Sequence, residues 1–136
     1  MNGIIVWEDK YSIGIQRIDD QHKKLFDFFN FYYDSIAFGN TMESTKVTLE
    51  NLIEYASYHF HDEEELMVSI SGFDYTNHFN EHKSFFEKVQ EFRDRHDSKE
   101  KITYELFDFM KEWVLNHILI SDQEIARYIK DQKSDL

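Results

Sequence analysis

The chain has 136 residues, 41% of them hydrophobic and 17% aromatic, enough for one domain with a real core. Fifteen Lys and Arg against twenty-seven Asp and Glu give a formal charge of −12, which argues against nucleic acid and anionic membrane surfaces as partners. With no cysteine, disulfides, iron–sulfur clusters and thiolate metal sites are excluded together, so any metal site must use nitrogen and oxygen ligands, which suit iron, zinc, manganese or copper.

Residues 1–18 read as a non-helical arm whose Ile, Val and Trp side chains lie along the rest of the molecule. The apolar run in MNGIIVWEDK is too short for a signal peptide and no stretch of eighteen apolar residues occurs, so a soluble, cytoplasmic protein is expected. Apolar periodicity then predicts four helices, at about 19–38, 41–66, 74–95 and 100–120. Gly39 and Gly72 punctuate them, and Asp19, Thr41 and Asp74 are the expected N-caps. Short links between four long helices imply an all-α, up-and-down four-helix bundle forming a single domain over 1–136.

The second helix carries HFHDEEE, residues 59–65. At about 100° per residue, His59 lies within roughly 60° of Leu52, Tyr55, Ala56, Glu63, Leu66 and Ile70, the middle of the apolar stripe. His59 and Glu63 should therefore point into the core, with His61 and Glu65 on the opposite side. A buried histidine alone is more often a hydrogen-bonded core residue than a ligand, but a buried glutamate needs a cationic partner, and a metal ion supplies one.

The same test repeats on the other helices. In the first, His22 shares a face with Leu25, Phe26, Phe29, Tyr33 and Ile36. In the third, His78 and His82 stand one turn apart in line with Phe85, Phe86 and Val89, and in the fourth His117 follows Leu106, Met110 and Trp113. His61 and His96 fall outside these stripes. Asp122 stands five residues after His117, about 140° away on a continuous α-helix. The sequence Ser121-Asp122-Gln123-Glu124 has the form of a capping box, so a break at Ser121 and a short C-terminal helix would turn Asp122 back toward the core.

These positions together, in VWEDKYSIGIQRIDDQHKKLF (6–26), HFHDEEELM (59–67), HFNEHKSF (78–85) and WVLNHILISD (113–122), resemble the bacterial members of the hemerythrin family over nearly the whole chain. That resemblance implies reversible dioxygen binding, for transport, storage or delivery, at a non-haem di-iron centre rather than enzymatic catalysis. One iron would be held by His78, His82 and His117 and the other by His22 and His59. Glu63 and Asp122 would bridge them beside an oxo or hydroxo group, and small anions such as azide would compete with dioxygen. Leu25, Phe60, Trp113, Val114 and Ile118 are the expected apolar wall of the oxygen pocket, and Glu64 is a candidate acceptor for the second N–H of a ligating imidazole.

Three rival readings account for less. Ferritin-like carboxylate enzymes need paired Glu-x-x-His motifs, and none occurs. His78-Phe79-Asn80-Glu81-His82 matches the H-x-x-E-H of an inverted zinc protease, with Glu81 as general base, but leaves the other inward histidines unexplained. A metal-free bundle or signalling module leaves Glu63 unexplained. Oxygen or redox sensing, or reduction of peroxide or nitric oxide at the same irons, stand as alternative functions, and protein partners are not legible.

Overall fold

The computed structural model describes residues 5–39 and 41–134. Five α-helices follow a single 3-10 turn at Asp9–Tyr11: α1 (Gln16–Phe38), α2 (Thr41–Ser69), α3 (Thr76–Asp97), α4 (Thr103–Glu112) and α5 (Asp122–Ser134), with a π-helical run, Trp113–Ser121, joining α4 to α5. α1 packs on α2 and α4, and α2 on α3, as expected of an up-and-down bundle. Among the described residues, no helix is long and apolar enough to cross a membrane.

Helix starts differ from expectation for local reasons. α1 begins at Gln16, three residues early, so Asp19 is not its N-cap; its carboxylate reaches back and accepts the Ile13 amide at 2.9 Å and the Ser12 hydroxyl. That contact anchors the arm to the first turn. Thr41 is the first residue of α2, which puts the cap position at residue 40, outside the described residues. Asp74 stands two residues before α3 and accepts the Thr76 amide at 3.1 Å in an Asx turn, leaving Tyr75 at the cap. Gly39 closes α1 at φ 83°, the left-handed C-terminal conformation its lack of Cβ allows.

The core runs along the bundle axis through Leu25, Phe29, Leu49, Leu52, Phe85, Val89, Phe92, Leu106 and Met110, all nearly inaccessible to solvent. Each large side chain so buried contributes about 1.5–3 kcal/mol. Two stripe assignments fail at the stripe's edge. Tyr32, not Tyr33, is fully buried, with its hydroxyl paired to Thr45 Oγ1 at 2.8 Å and a longer bond to the Thr103 carbonyl. Phe86 is 37% exposed, because α3 buries His78, His82, Phe85, Val89 and Phe92 at alternating steps of four and three, which leaves Phe86 on the flank.

The arm lies along the bundle, tied down by its backbone and its rings. Ile5 pairs both backbone groups with the Asn30 side chain, and Trp7 packs its ring against Phe26 at 5.5 Å. Val6 points outward instead of joining them. Ile4 lies outside the described residues. At the other end of the chain, the Tyr128 hydroxyl donates to the Ser71 carbonyl at 2.9 Å, and it sits 2.7 Å from where a Cβ on Gly72 would be. A glycine is therefore needed there both for its φ of 80° and for α5 to dock on the α2–α3 link.

Candidate metal centre

Each long helix delivers donors to one point in the bundle. His22 comes from α1, His59 and Glu63 from α2, His78 and His82 from α3, His117 from the π-helical run and Asp122 from the first residue of α5; all are at most 3% exposed. His61 and Glu65, by contrast, pair with each other on the outer face of α2 at 3.2 Å. The periodicity of α2 thus puts one of the two His-x-x-x-Glu pairs inside and the other in water.

Asp122 reaches the centre by a different device from the expected break. The helix continues through Ser121, and the Asp122 amide donates to the His117 carbonyl, an i→i+5 bond. A π-helical turn stacks residues five apart, so His117 and Asp122 share a face without interruption. Ser121 is accordingly not an N-cap; its hydroxyl donates to Glu81 Oε1 at 3.1 Å.

The donors form two groups that share both carboxylates: His22, His59, Glu63 and Asp122, and Glu63, His82, His117 and Asp122, with ligand atoms in each group within 4.8 Å of one another. Glu63 turns Oε2 toward His59 Nε2 at 3.2 Å and His22 Nε2 at 3.4 Å, and Oε1 toward His82 Nε2 at 3.0 Å. Asp122 turns Oδ2 toward His22 Nε2 at 3.0 Å and Oδ1 toward His117 Nε2 at 3.1 Å. His78 is buried on the same side of α3, but stands outside both groups: its Nε2–H donates to the Ser121 carbonyl at 2.8 Å and its Nδ1 has no partner.

The arrangement fits a cation. His22 Nε2, His59 Nε2, Glu63 Oε2 and both Asp122 oxygens are buried without a hydrogen-bond partner. Such orphaned polar atoms each cost about 1–3 kcal/mol unless something pairs with them. A metal ion bound by imidazole nitrogen and carboxylate oxygen would satisfy them together.

Partners outside the centre fix the rings. Glu64 accepts from His82 Nδ1–H at 2.9 Å, as expected of a candidate acceptor. Gln21 Oε1 accepts from His59 Nδ1–H at 2.6 Å, its amide oriented by the bond from Nε2 to Asp62 Oδ2 at 2.8 Å. Glu81 accepts from His117 Nδ1–H, so it holds a ring rather than serving as the free general base of a protease. The roles of Gln21 and Ser121 carry no sequence signal beyond their adjacency to His22 and Asp122. Glu81 was visible inside HFNEH but not its partner.

Aromatic plates cover three of the imidazoles. Phe60 stacks on His82 with ring centroids 4.0 Å apart and Trp113 on His117 at the same separation, while Tyr55, which periodicity marked only as core, stacks on His59 at 4.8 Å. Leu25, Val114 and Ile118 are fully buried, and Trp113 alone of the five expected wall residues is partly exposed.

A helical bundle that gathers imidazoles from every long helix around two shared carboxylates defines a metal-binding bundle protein. The chain belongs to the hemerythrin family: the family model for the hemerythrin HHE cation binding domain matches residues 13–129. It is 32% identical to a bacteriohemerythrin of Clostridium acetobutylicum over 89% of this chain and 98% of that one. A bacteriohemerythrin of Pseudomonas aeruginosa is 31% identical over 97% of this chain and 86% of its own length. A myohemerythrin of Theromyzon tessulatum is 31% identical, with 85% and 86% covered. Iron and dioxygen binding are properties of this family, and the buried donor set here is of the kind that holds such a metal.

The buried carboxylates and burial itself act in opposite directions on the imidazoles around them. Burial pushes the His22 imidazolium down, but Asp122 and Glu63 outweigh it and raise its pKa from 6.5 to about 9. His117 is likewise raised by Asp122, Glu63 and Glu81 against its burial, whereas burial prevails at His59 and lowers it. A raised folded pKa means that the His22 contribution to metal-free stability is full below 6.5 and is lost as pH rises through about 9. Thermal melts of iron-stripped protein should therefore fall across that window. Loading ferrous iron at pH 7 should expel protons, at least about one per chain by indicator dye, because ligating imidazoles must be neutral. Iron uptake without proton release would contradict this charge assignment.

Proposed function

We propose that the chain is an oxygen-binding protein, residues 1–136 forming one hemerythrin-like domain. His22 and His59 would hold one iron, His78, His82 and His117 the other, and Glu63 and Asp122 would serve both. The observation that carries this reading is that both buried carboxylates offer one oxygen to each histidine group. His78 joins on the strength of its burial and its unpartnered Nδ1. When bound, two ferrous ions with an oxo or hydroxo bridge would supply the electrons for reversible dioxygen binding.

The chain's own residues then decide how long the reduced state survives. Glu64, Gln21 and Glu81 hold His82, His59 and His117 by their Nδ1–H groups, which keeps each Nε2 aimed at the centre. Phe60 and Trp113 roof two of those rings, and Leu25, Val114 and Ile118 close the wall against water and anions. Small anions such as azide compete for the same place as dioxygen. A carrier rather than an enzyme is the favoured reading, supported by the likeness to a bacteriohemerythrin along 98% of that relative's length. A cytoplasmic site of action, where reductants are available, is part of the same proposal.

One feature favours a second reading, sensing of oxygen or redox state, or reduction of peroxide or nitric oxide. A surface cavity of about 260 Å³, lined by Glu81, Trp113, Asn116, His117 and Ser121 among others, brings solvent to the outer edge of His117. Repeated oxygenation and deoxygenation of the diferrous protein separates the two. The carrier reading expects many cycles without loss of the reduced form; rapid irreversible oxidation, or turnover of added peroxide or nitric oxide, would overturn it.

A further inference from the structure

The two histidine groups are not backed alike. Behind His82 stands the Glu64 carboxylate, at 2.9 Å from Nδ1, and behind His117 stands the Glu81 carboxylate. Behind His59 is the neutral amide oxygen of Gln21, and His22 Nδ1 is buried with no partner at all. The shared carboxylates, Glu63 and Asp122, contribute equally to both groups because each faces both. Beyond the unequal number of histidines, the asymmetry in charge therefore comes from outside the ligand set: carboxylates accept directly from His82 and His117, whereas the Asp62 carboxylate reaches His59 only through the Gln21 amide.

An anion hydrogen-bonded to a ligating imidazole makes that imidazole a stronger donor and favours the more highly charged metal ion. Glu64 and Glu81 accept from the Nδ1–H groups of two rings whose Nε2 atoms approach each other at 3.2 Å, so their effects converge on one metal position. Ser121 reinforces Glu81: its hydroxyl donates to Glu81 Oε1 while its carbonyl receives His78 Nε2–H, tying two α3 side chains to the π-helical run. Partial exposure screens the two charges, at 32% for Glu64 and 39% for Glu81, but each acts through a direct N–H bond and not across solvent.

We infer that Glu64 and Glu81 are positioning residues that make the two metal sites electronically unequal, the site at His82 and His117 being oxidised first and the site at His22 and His59 retaining the ferrous state. The inference rests on the di-iron reading. It adds that a one-electron-oxidised protein has its ferric charge localised on one side, by design of residues that touch neither metal nor dioxygen. The ordering matters for the proposed function, because the ion with fewer histidines and no carboxylate directly behind them is the one left poised for exchange.

The test is a potentiometric titration of iron-57-loaded protein followed by Mössbauer spectroscopy, using the parent, Glu64→Gln, Glu81→Gln and the double variant. Glutamine keeps an acceptor oxygen of the same reach and removes the charge. Gln21→Ala serves as a comparison that loosens His59 without altering charge. The parent should give two separated one-electron steps and a substantial mixed-valence population. In the double variant, with two irons still bound, that population's equilibrium constant should fall about tenfold or more, with smaller falls in each single variant and little change in Gln21→Ala. If the double variant loses iron, the single variants decide by the same criterion. An unchanged or widened separation in charge-removing variants that keep two irons would overturn the inference, and so would an equal effect of Gln21→Ala. A parent that binds fewer than two irons would instead overturn the di-iron reading itself.

Discussion

Glu63→Ala should leave the protein with almost no bound iron and markedly destabilised, whereas Glu65→Ala, two residues along the same helix, should do neither. Glu63 is fully buried, and its two oxygens face His22, His59 and His82 at 3.0–3.4 Å, so its loss removes a donor from both groups at once. Burial alone would raise its pKa, but the imidazoles of His117, His22, His59 and His82 turned toward it hold it well below the usual carboxylate value. Breaking such a buried charged network from one side costs about 3–5 kcal/mol. Glu65 and His61 are 64% and 67% exposed in their side chains, and exposed substitutions of this kind stay within about 0.5 kcal/mol. Iron content by elemental analysis, together with urea melts, gives both readouts. His59→Ala should behave like Glu63→Ala, and His61→Ala like Glu65→Ala. Equal iron loss from the two sets would mean that the wrong face of α2 has been assigned to the metal.

Ile118→Asn should keep two irons but shorten the life of the reduced protein in air by about tenfold or more, the scale on which groups just outside a metal site act. Ile118 follows His117 directly and is completely buried beside Val114, so a polar or smaller side chain there admits water to the wall. Water and small anions would then promote irreversible oxidation, and added azide should accelerate it further. Ile118→Ala should act in the same direction while costing about 2–5 kcal/mol for the cavity. Val89→Ala is the comparison: Val89 is 1% exposed but lies seven residues, or about 10 Å along the helix, beyond His82. It loosens the core without opening the site. Iron-replete Ile118 variants that oxidise at the parent's rate would show that the wall lies at Leu25, Phe60 or Trp113.

The inward set was legible because burial in a bundle follows the 3.6-residue period, and His22, His59, Glu63, His78, His82 and His117 all sit on apolar stripes. Asp122 was legible only as a conflict. Its spacing of five from His117 cannot be met by an α-helix, and the chain resolves that by widening the helix rather than breaking it. A capping-box pattern does not distinguish the two, since Ser121 finds a better partner in Glu81. Stripe edges failed where a single residue's drift matters, as with Tyr32 for Tyr33 and the flanking Phe86. The residues behind the ligands were hardest to see: Gln21 and Glu81 are polar, sit on helix flanks and meet histidines 38 and 36 positions away, a pairing that only the assembled bundle creates. Asp19 shows the same limit locally, since a carboxylate three residues before His22 reads equally well as a cap or as the anchor it is.

The central claim, that these seven side chains hold a pair of bridged irons, is tested most directly by metal analysis and Mössbauer spectroscopy of protein loaded with iron-57 under reducing conditions. Two irons per chain, magnetically coupled once oxidised and lost on Glu63→Ala, is the predicted result. A single bound iron, or a preference for one zinc ion in its place, would contradict it.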